Sequence, residues 1–433
     1  MLLENAQLAT LDPPRVERAC LRVEDGRIAE RAPALSPQAG EEVLDLGGAL
    51  VLPGLVNAHT HLYSALARGM PAPAVPPRTF VEILERVWWR LDRALDEETV
   101  FLSGVVGAIE AARSGTTLLF DHHASPSCMP GSLTTLRRAV EEVGLRSVLC
   151  YETTDRNGLD GRDAGIAENR AFLAGGPTSL TRGMVGAHAS FTLSDQSLSR
   201  LAAAVSESGS SLHLHVAEDG ADVDDCLKRC GAGIVELLRR HGLLLPRTLL
   251  VHGVHLSERE ALDAQAAGAW LVHCARSNMN NAVGHAPTAA FRRAALGTDG
   301  LDSDMLAELK AAFLRMRDAG REDASTAACA MLAGGHRLAG AFFGLPFGAL
   351  DAGAPADLVV LDYRPPTPLA AENLAGHLLF GLDRSHVRST MVAGRFVLRD
   401  CRLTTVDEAA VLASAGRAAS ALWERVRRLD ADA

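Results

Sequence analysis

The chain has 433 residues, 48% of them hydrophobic, and a formal net charge of −10 from 43 basic and 53 acidic residues. That length and apolar fraction allow one large domain with an appendage, or two domains. The acidic balance argues against nucleic acid or an anionic membrane surface as a partner. The eight cysteines are scattered, and Cys226 and Cys230 have no second close pair beside them. They read as reduced thiols rather than as a disulfide framework or a zinc knuckle. The N-terminus, "MLLENAQLATLDPPRVE", lacks a basic n-region and a long apolar h-region, and no uninterrupted apolar window of membrane-spanning length follows. A cytoplasmic protein is expected.

Residues 1–52 carry short β-like runs with turns, Asp25-Gly26 being a hairpin signal. From 53 to 349 short β-branched runs alternate with helical patterns. The predicted strands are "LVNAHTHL", "TTLLFDHHA", "RSVLCYETT", "GMVGAHASF", "SLHLHVAED", "TLLVHGVHL", "AWLVHCARSN" and "AALGTDG". Helices are predicted between them, among others over Glu97 to Ser114, Leu133 to Glu142, Ser194 to Ser208, Gly233 to His241 and Ser257 to Ala267. Eight strands alternating with helices predict an α/β fold, a TIM-like (β/α)8 barrel whose site forms at the carboxyl ends of the strands. Residues 350–405 return to short β-runs, with Ala393-Gly394 as a second hairpin signal. Together with 1–52 they are expected to make a small β-sandwich domain beside the barrel, and 406–433 a C-terminal helix.

Metal-competent residues recur where the predicted strands end. His59 and His61 end the first, and period-2 geometry points both to one side. His122 and His123 end the second, His188 the fourth, His215 with Glu218 the fifth, His252 and His255 the sixth, His273 the seventh and Asp299 the eighth. One histidine after an apolar strand is ordinarily structural. Seven of eight strands ending this way describe an active site.

On "PGLVNAHTHLYSALARG", "HVAED", "LLVHGVHLSERE", "HCARSNMNN" and "LGTDGLDSD" the chain resembles the amidohydrolase superfamily, in its aminohydrolase branch of cytosine-deaminase and chlorotriazine-hydrolase type. "HTHLYSALARGM", "FDHHASP", "GAHASFTLSD" and "RSNMNNAVG" resemble the SsnA-like aminohydrolases most. The resemblance runs from about Leu2 to Asp407. It implies one divalent metal ion per subunit, Zn2+ or Fe2+, held by His59, His61, His215 and Asp299. It further implies that Glu218 shuttles protons and that His252 hydrogen-bonds the metal-bound water or the developing oxyanion. Three imidazoles and a carboxylate with an open position suit such an ion.

His122, His123, His188, His273, Asn278, Arg68 and Ser303 are the candidate substrate-binding residues. His213 reads as a core or supporting histidine, and His255 as an exposed loop residue. Arg276 reads as a second anion grip or a salt-bridged residue. Trp88 and Trp89 read as a lid over a flat ring or as core packing. The loop Leu301-Asp302-Ser303-Asp304-Met305 departs from the branch's usual pattern. Its acids fit a substrate contact and also a cap on the next helix.

The implied reaction is hydrolytic deamination of a purine-, pterin- or pyrimidine-like heterocycle, a small-molecule substrate, by an enzyme expected as a homo-oligomer such as a dimer. Cyclic-amide ring opening and triazine dechlorination remain open on the same site, with a non-catalytic barrel behind them. Ring-opening relatives commonly bridge two metals with a lysine on the fourth strand. The only lysines here, Lys228 and Lys310, fall in predicted helices.

Overall fold

Eight parallel strands carry the centre of the molecule in a computed structural model that describes residues 1–431. They are β1 (Leu55–Thr60), β2 (Thr116–His123), β3 (Arg146–Thr153), β4 (Val185–Ala189), β5 (Leu212–Val216), β6 (Leu249–His252), β7 (Trp270–His273) and β8 (Ala294–Leu296). Their hydrogen-bonded order follows the sequence, and a parallel bridge from Thr60 to Asp299 joins the two ends. Every residue of these strands is buried. A parallel sheet covered by helices requires this, and the near-continuous apolar runs announce it. The barrel predicted from the sequence is present strand for strand.

The helices begin where side chains can satisfy their free N–H groups. Asp96 and Thr99 form a capping box at Glu97–Arg113, and Ser257 and Glu260 form another at Glu258–Ala266. Ser194 caps Asp195–Ser208. Helix Ala324–Phe343 crosses β8 and β1 so closely that a Cβ on Gly334 would collide with Ala294 O. Lys228 and Lys310 both lie in helices, Gly220–Cys230 and Met305–Asp318.

The two chain ends build one mixed sheet of nine strands. They meet where Leu50–Pro53 pairs antiparallel with Leu358–Leu361. Both predicted hairpin turns occur: Asp25 and Gly26 have φ of 49° and 76°, Ala393 and Gly394 of 47° and 76°. Left-handed backbone at both central positions suits a two-residue turn. Leu3, Leu8, Leu21, Val51 and Leu358 form this sheet's own core. A buried ion pair fastens the sheet to the barrel: Arg146 on β3 meets Asp357 at 2.7 and 3.1 Å.

The last helix, Glu408–Ala431, lies against helix Glu97–Arg113, and the final two residues of its predicted range fall outside the described residues. Trp423 Nε1 on this helix donates to Leu66 O at 2.8 Å, which anchors the turn that follows His61. All eight cysteines are free. No helix among the described residues is long and apolar enough to cross a membrane.

Candidate metal centre and pocket

The histidines of β1 and β5 and the aspartate after β8 converge at the carboxyl end of the barrel. His61 Nε2 lies 2.9 Å and His59 Nε2 3.4 Å from the same oxygen, Asp299 Oδ1. His61 Nε2 is 3.2 Å from His215 Nε2. One ligand atom each from His59, His215, His252 and Asp299 also falls within 4.8 Å of every other.

Tautomers show what this arrangement is built to hold. His61 Nδ1 donates to His122 O at 2.6 Å and His215 Nδ1 to His188 O at 2.9 Å. Each neutral ring has then spent its single proton, so two lone pairs face each other across 3.2 Å. His59 Nε2 is buried without a hydrogen-bond partner. Lone pairs aimed at one another and at a carboxylate repel unless a cation or a proton sits among them, so the donor set fits a divalent cation. The groups respond accordingly when no cation is among them. Burial lowers His61, but Asp299, Glu152 and Asp121 outweigh it and raise it to about 9. Burial pushes His59 down to about 3. Burial also works against charge on Asp299, yet His59 and His61 hold it well below the usual carboxylate range. Ser277 Oγ donates to its second oxygen.

Glu218, three residues past His215, is buried beside this cluster. Its Oε2 lies 3.4 Å from His252 Nε2, and its Oε1 accepts from Asn281 Nδ2 at 3.1 Å. Burial raises Glu218 to about 7, the His252 charge opposing and Asp299 adding to the rise. Asn278 Oδ1 accepts from His252 Nδ1 at 2.8 Å, leaving Nε2 without a hydrogen bond of its own and turned toward Glu218. His252 and Asp299 both take left-handed backbone, with φ of 70° and 56°. Non-glycine residues adopt this rarely, and where they do the strain marks sites that hold a side chain in place.

Above the cluster lies a pocket with an aromatic wall of Phe80, Trp88, Trp89 and Phe191. A π-helical turn over Leu84–Trp88 turns both tryptophans toward it. Both tryptophans line the pocket and also pack against the buried Phe80, Leu84, Val254 and Val283. A polar group adjoins this wall, with Arg156 over the Trp89 ring and His188 against Trp89 and Phe191. Glu152 Oε2 faces His122 Nδ1 at 3.2 Å, its Oε1 lies 3.9 Å from His188 Nε2, and Arg156 joins it to Asp92. Burial disfavours charge on Glu152, but His188, His122 and Arg156 hold its carboxyl far below the usual range.

Of the residues expected to touch substrate, His188 lines the pocket and the others do not. His122 lies beneath the floor, donating to the carbonyls of Ala187 and His213. His123 is turned away onto Ser125 Oγ at 2.8 Å. Asn278 stands behind His252, and His273 is buried against Phe291. Arg68 is drawn outward by a two-pronged pair with Glu110. Ser303 is a brace: its hydroxyl accepts from Asn57 Nδ2 at 3.2 Å and its carbonyl from Thr116 Oγ1 at 2.8 Å. Arg276 is spent on Asp302 and Glu308. Asp304 caps helix Met305–Asp318 through the N–H groups of Leu306 and Ala307. His255 is exposed, as expected.

Sequence reasoning missed Glu152, Arg156, Asp92 and Asn281. Glu152 carried a usable signal, since it ends β3, the one strand without a metal-competent histidine.

Such a barrel, with a mixed sheet from both chain ends and histidines and acids at its strand ends, defines a metal-dependent hydrolase architecture. The amidohydrolase family model matches residues 50–397, and the chain belongs to that family. It is 29% identical over 439 residues to a 5'-deoxyadenosine deaminase of Methanosarcina mazei, covering 98% of this chain and 99% of that one. It is 31% identical to a 5-methylthioadenosine/S-adenosylhomocysteine deaminase of Desulforudis audaxviator, over 93% and 95% of the two chains. Among solved structures, a zinc-bound adenosine deaminase from Xanthomonas campestris superposes with a TM-score of 0.84 at 24% identity, covering 99% and 98%. Atrazine chlorohydrolase TrzN from Arthrobacter aurescens does so with 0.79 at 20%, covering 98% and 99%. These two share the fold.

Proposed function

We propose that the chain is a zinc-dependent aminohydrolase that removes the exocyclic amino group of an adenosine-like compound, with water as co-substrate and ammonia as product. One observation carries the reading. A buried carboxyl poised near neutrality, Glu218, stands between a fixed histidine and a cluster of metal-type donors, under an aromatic wall suited to a flat ring. The family and the deaminase relatives, matched over nearly the whole chain, support it.

His59, His61, His215 and Asp299 are the residues that would hold the ion, which supplies Lewis acidity that makes a water nucleophilic near neutral pH. Asp299 would take a proton from the attacking water. Glu218 gives its proton to the ring nitrogen next to the amino-bearing carbon, which makes that carbon electrophilic. The water oxygen bonds to that carbon. Glu218 then takes the remaining proton of the added oxygen and passes it to the amino group. The carbonyl forms, the carbon–nitrogen bond breaks with ammonia leaving, and the proton on Asp299 returns to Glu218. His252, its Nδ1–H anchored on Asn278, points Nε2 at the region where oxygen charge develops. The aromatic wall holds the ring and excludes bulk water.

The test is ammonia release from a panel of aminopurine nucleosides, free aminopurines, pterins and pyrimidines, using zinc-loaded protein beside a Glu218→Gln control. The reading expects adenosine-type compounds to release ammonia with the wild type only. Ring opening of a cyclic amide without ammonia release from any amino ring would replace it.

A further inference from the structure

Two of the three histidines at the centre have their outer ring nitrogen fixed by a backbone carbonyl; His59 does not. Its Nδ1 lies 2.9 Å from His213 Nε2. His213 Nδ1 in turn lies 3.7 Å from Cys150 Sγ, and Cys150 Sγ lies 3.5 Å from Asp121 O. All four residues are fully or almost fully buried, His213 being the most exposed at 1%. No solvent competes for any of these contacts.

Only one proton fits between two imidazole nitrogens, and the direction follows from the far end of His59. Its Nε2 faces Asp299 and must keep a lone pair to bind a cation, so its single proton sits on Nδ1. His213 Nε2 must then accept, which places the His213 proton on Nδ1, aimed at sulfur. The thiol receives that contact and has one acceptor left for its own S–H, the carbonyl of Asp121. Each proton has one place, and the chain ends on the backbone of β2.

We propose that His213 is a positioning residue that holds His59 as an Nε2 donor through a one-way chain of hydrogen bonds, His59 to His213 to Cys150 to Asp121 O. The proposal rests on the reading of His59 as a metal ligand. It assigns work to a histidine that touches neither metal nor substrate and to a cysteine that the reaction does not use.

The experiment measures zinc affinity by chelator competition, with the thermal unfolding of the metal-free proteins as a check on folding. His213→Leu, which leaves the His59 proton without an acceptor, is expected to weaken zinc binding by about 10- to 100-fold. His213→Gln, whose amide oxygen can accept that proton, is expected to stay within about 3-fold, against the 10- to 100-fold loss on removing such a partner. Should His213→Leu fail to fold, nitrogen NMR of zinc-loaded protein labelled in its histidines gives the same answer. His213 should carry its proton on Nδ1, and His59 likewise. A folded His213→Leu with wild-type affinity overturns the chain, as does a proton on His213 Nε2. His59→Ala run alongside separates the two failures. If it binds zinc as tightly as the wild type, the ligand assignment falls and the chain with it. If it loses zinc while His213→Leu does not, the chain alone falls.

Discussion

His61 Nε2 and His215 Nε2 face each other at 3.2 Å with both protons already given to backbone carbonyls. The contact is unfavourable in a protein left to itself. It becomes favourable with a cation among the donors, or with a proton, and the raised His61 group shows that the proton is held when nothing else is.

Metal and proton therefore compete for one place. His61 is raised to about 9, so metal-free protein carries its proton below that pH and loses it above. Adding zinc at about pH 8 should release close to one proton per chain. Calorimetry in two buffers of different ionisation enthalpy measures it. His61→Ala should release about one proton fewer than the wild type, and equal release from the two proteins would contradict the arrangement.

Glu218 gives the pH profile its alkaline limb. Burial raises the group to about 7, so the carboxyl keeps the proton it must donate below that pH and loses it as pH rises through it. The expected kcat/KM falls above about 7, and a profile flat well beyond it would remove Glu218 as the acid. Glu218→Gln should lower kcat by roughly 10²- to 10⁴-fold with zinc content unchanged.

Asn278 acts through His252. With Asn278→Ala the His252 ring loses the acceptor that fixes its tautomer, and kcat should drop by about 10- to 100-fold while KM moves little. An equal rise in KM would mean that Asn278 touches the substrate.

Arg68 and Ser303 were expected at the substrate, and the structure puts them elsewhere. Arg68→Ala should leave kcat/KM nearly unchanged and stability within about 0.5 kcal/mol, because its pair with Glu110 lies at the surface. Loss of activity in that variant would restore Arg68 to the site.

Helix Ala324–Phe343 rests on β8 at Gly334, where a methyl group meets the carbonyl of Ala294. Gly334→Ala should cost about 1–3 kcal/mol in denaturant unfolding through overpacking. The same change at Gly376, where nothing lies within 4 Å, should not.

Much of this was legible in the sequence because the barrel repeats its signal. Apolar runs mark the strands, Asp96, Ser194 and Ser257 punctuate the helices, and His59, His61, His215 and Asp299 fall where strands end. The pocket was less legible, because spacing along one strand says nothing of which way a loop turns. Arg68 ends the short helical segment Leu62–Ala67 that follows His61, yet it points at Glu110 on an outer helix. Glu152 was hidden by a search for histidines, although it closes the polar side of the pocket from the strand that had none. Asp304 declared itself as a cap, since its side chain takes the N–H groups of Leu306 and Ala307 at 3.1 and 2.9 Å.

The measurement that bears most directly on the account is the fate of oxygen and nitrogen when zinc-loaded protein turns over an adenosine-type compound in water enriched in heavy oxygen. The account predicts one equivalent of ammonia and a product with heavy oxygen at the carbon that carried the amino group. A product that retains all its nitrogen, or turnover that persists after the metal is removed, would contradict it.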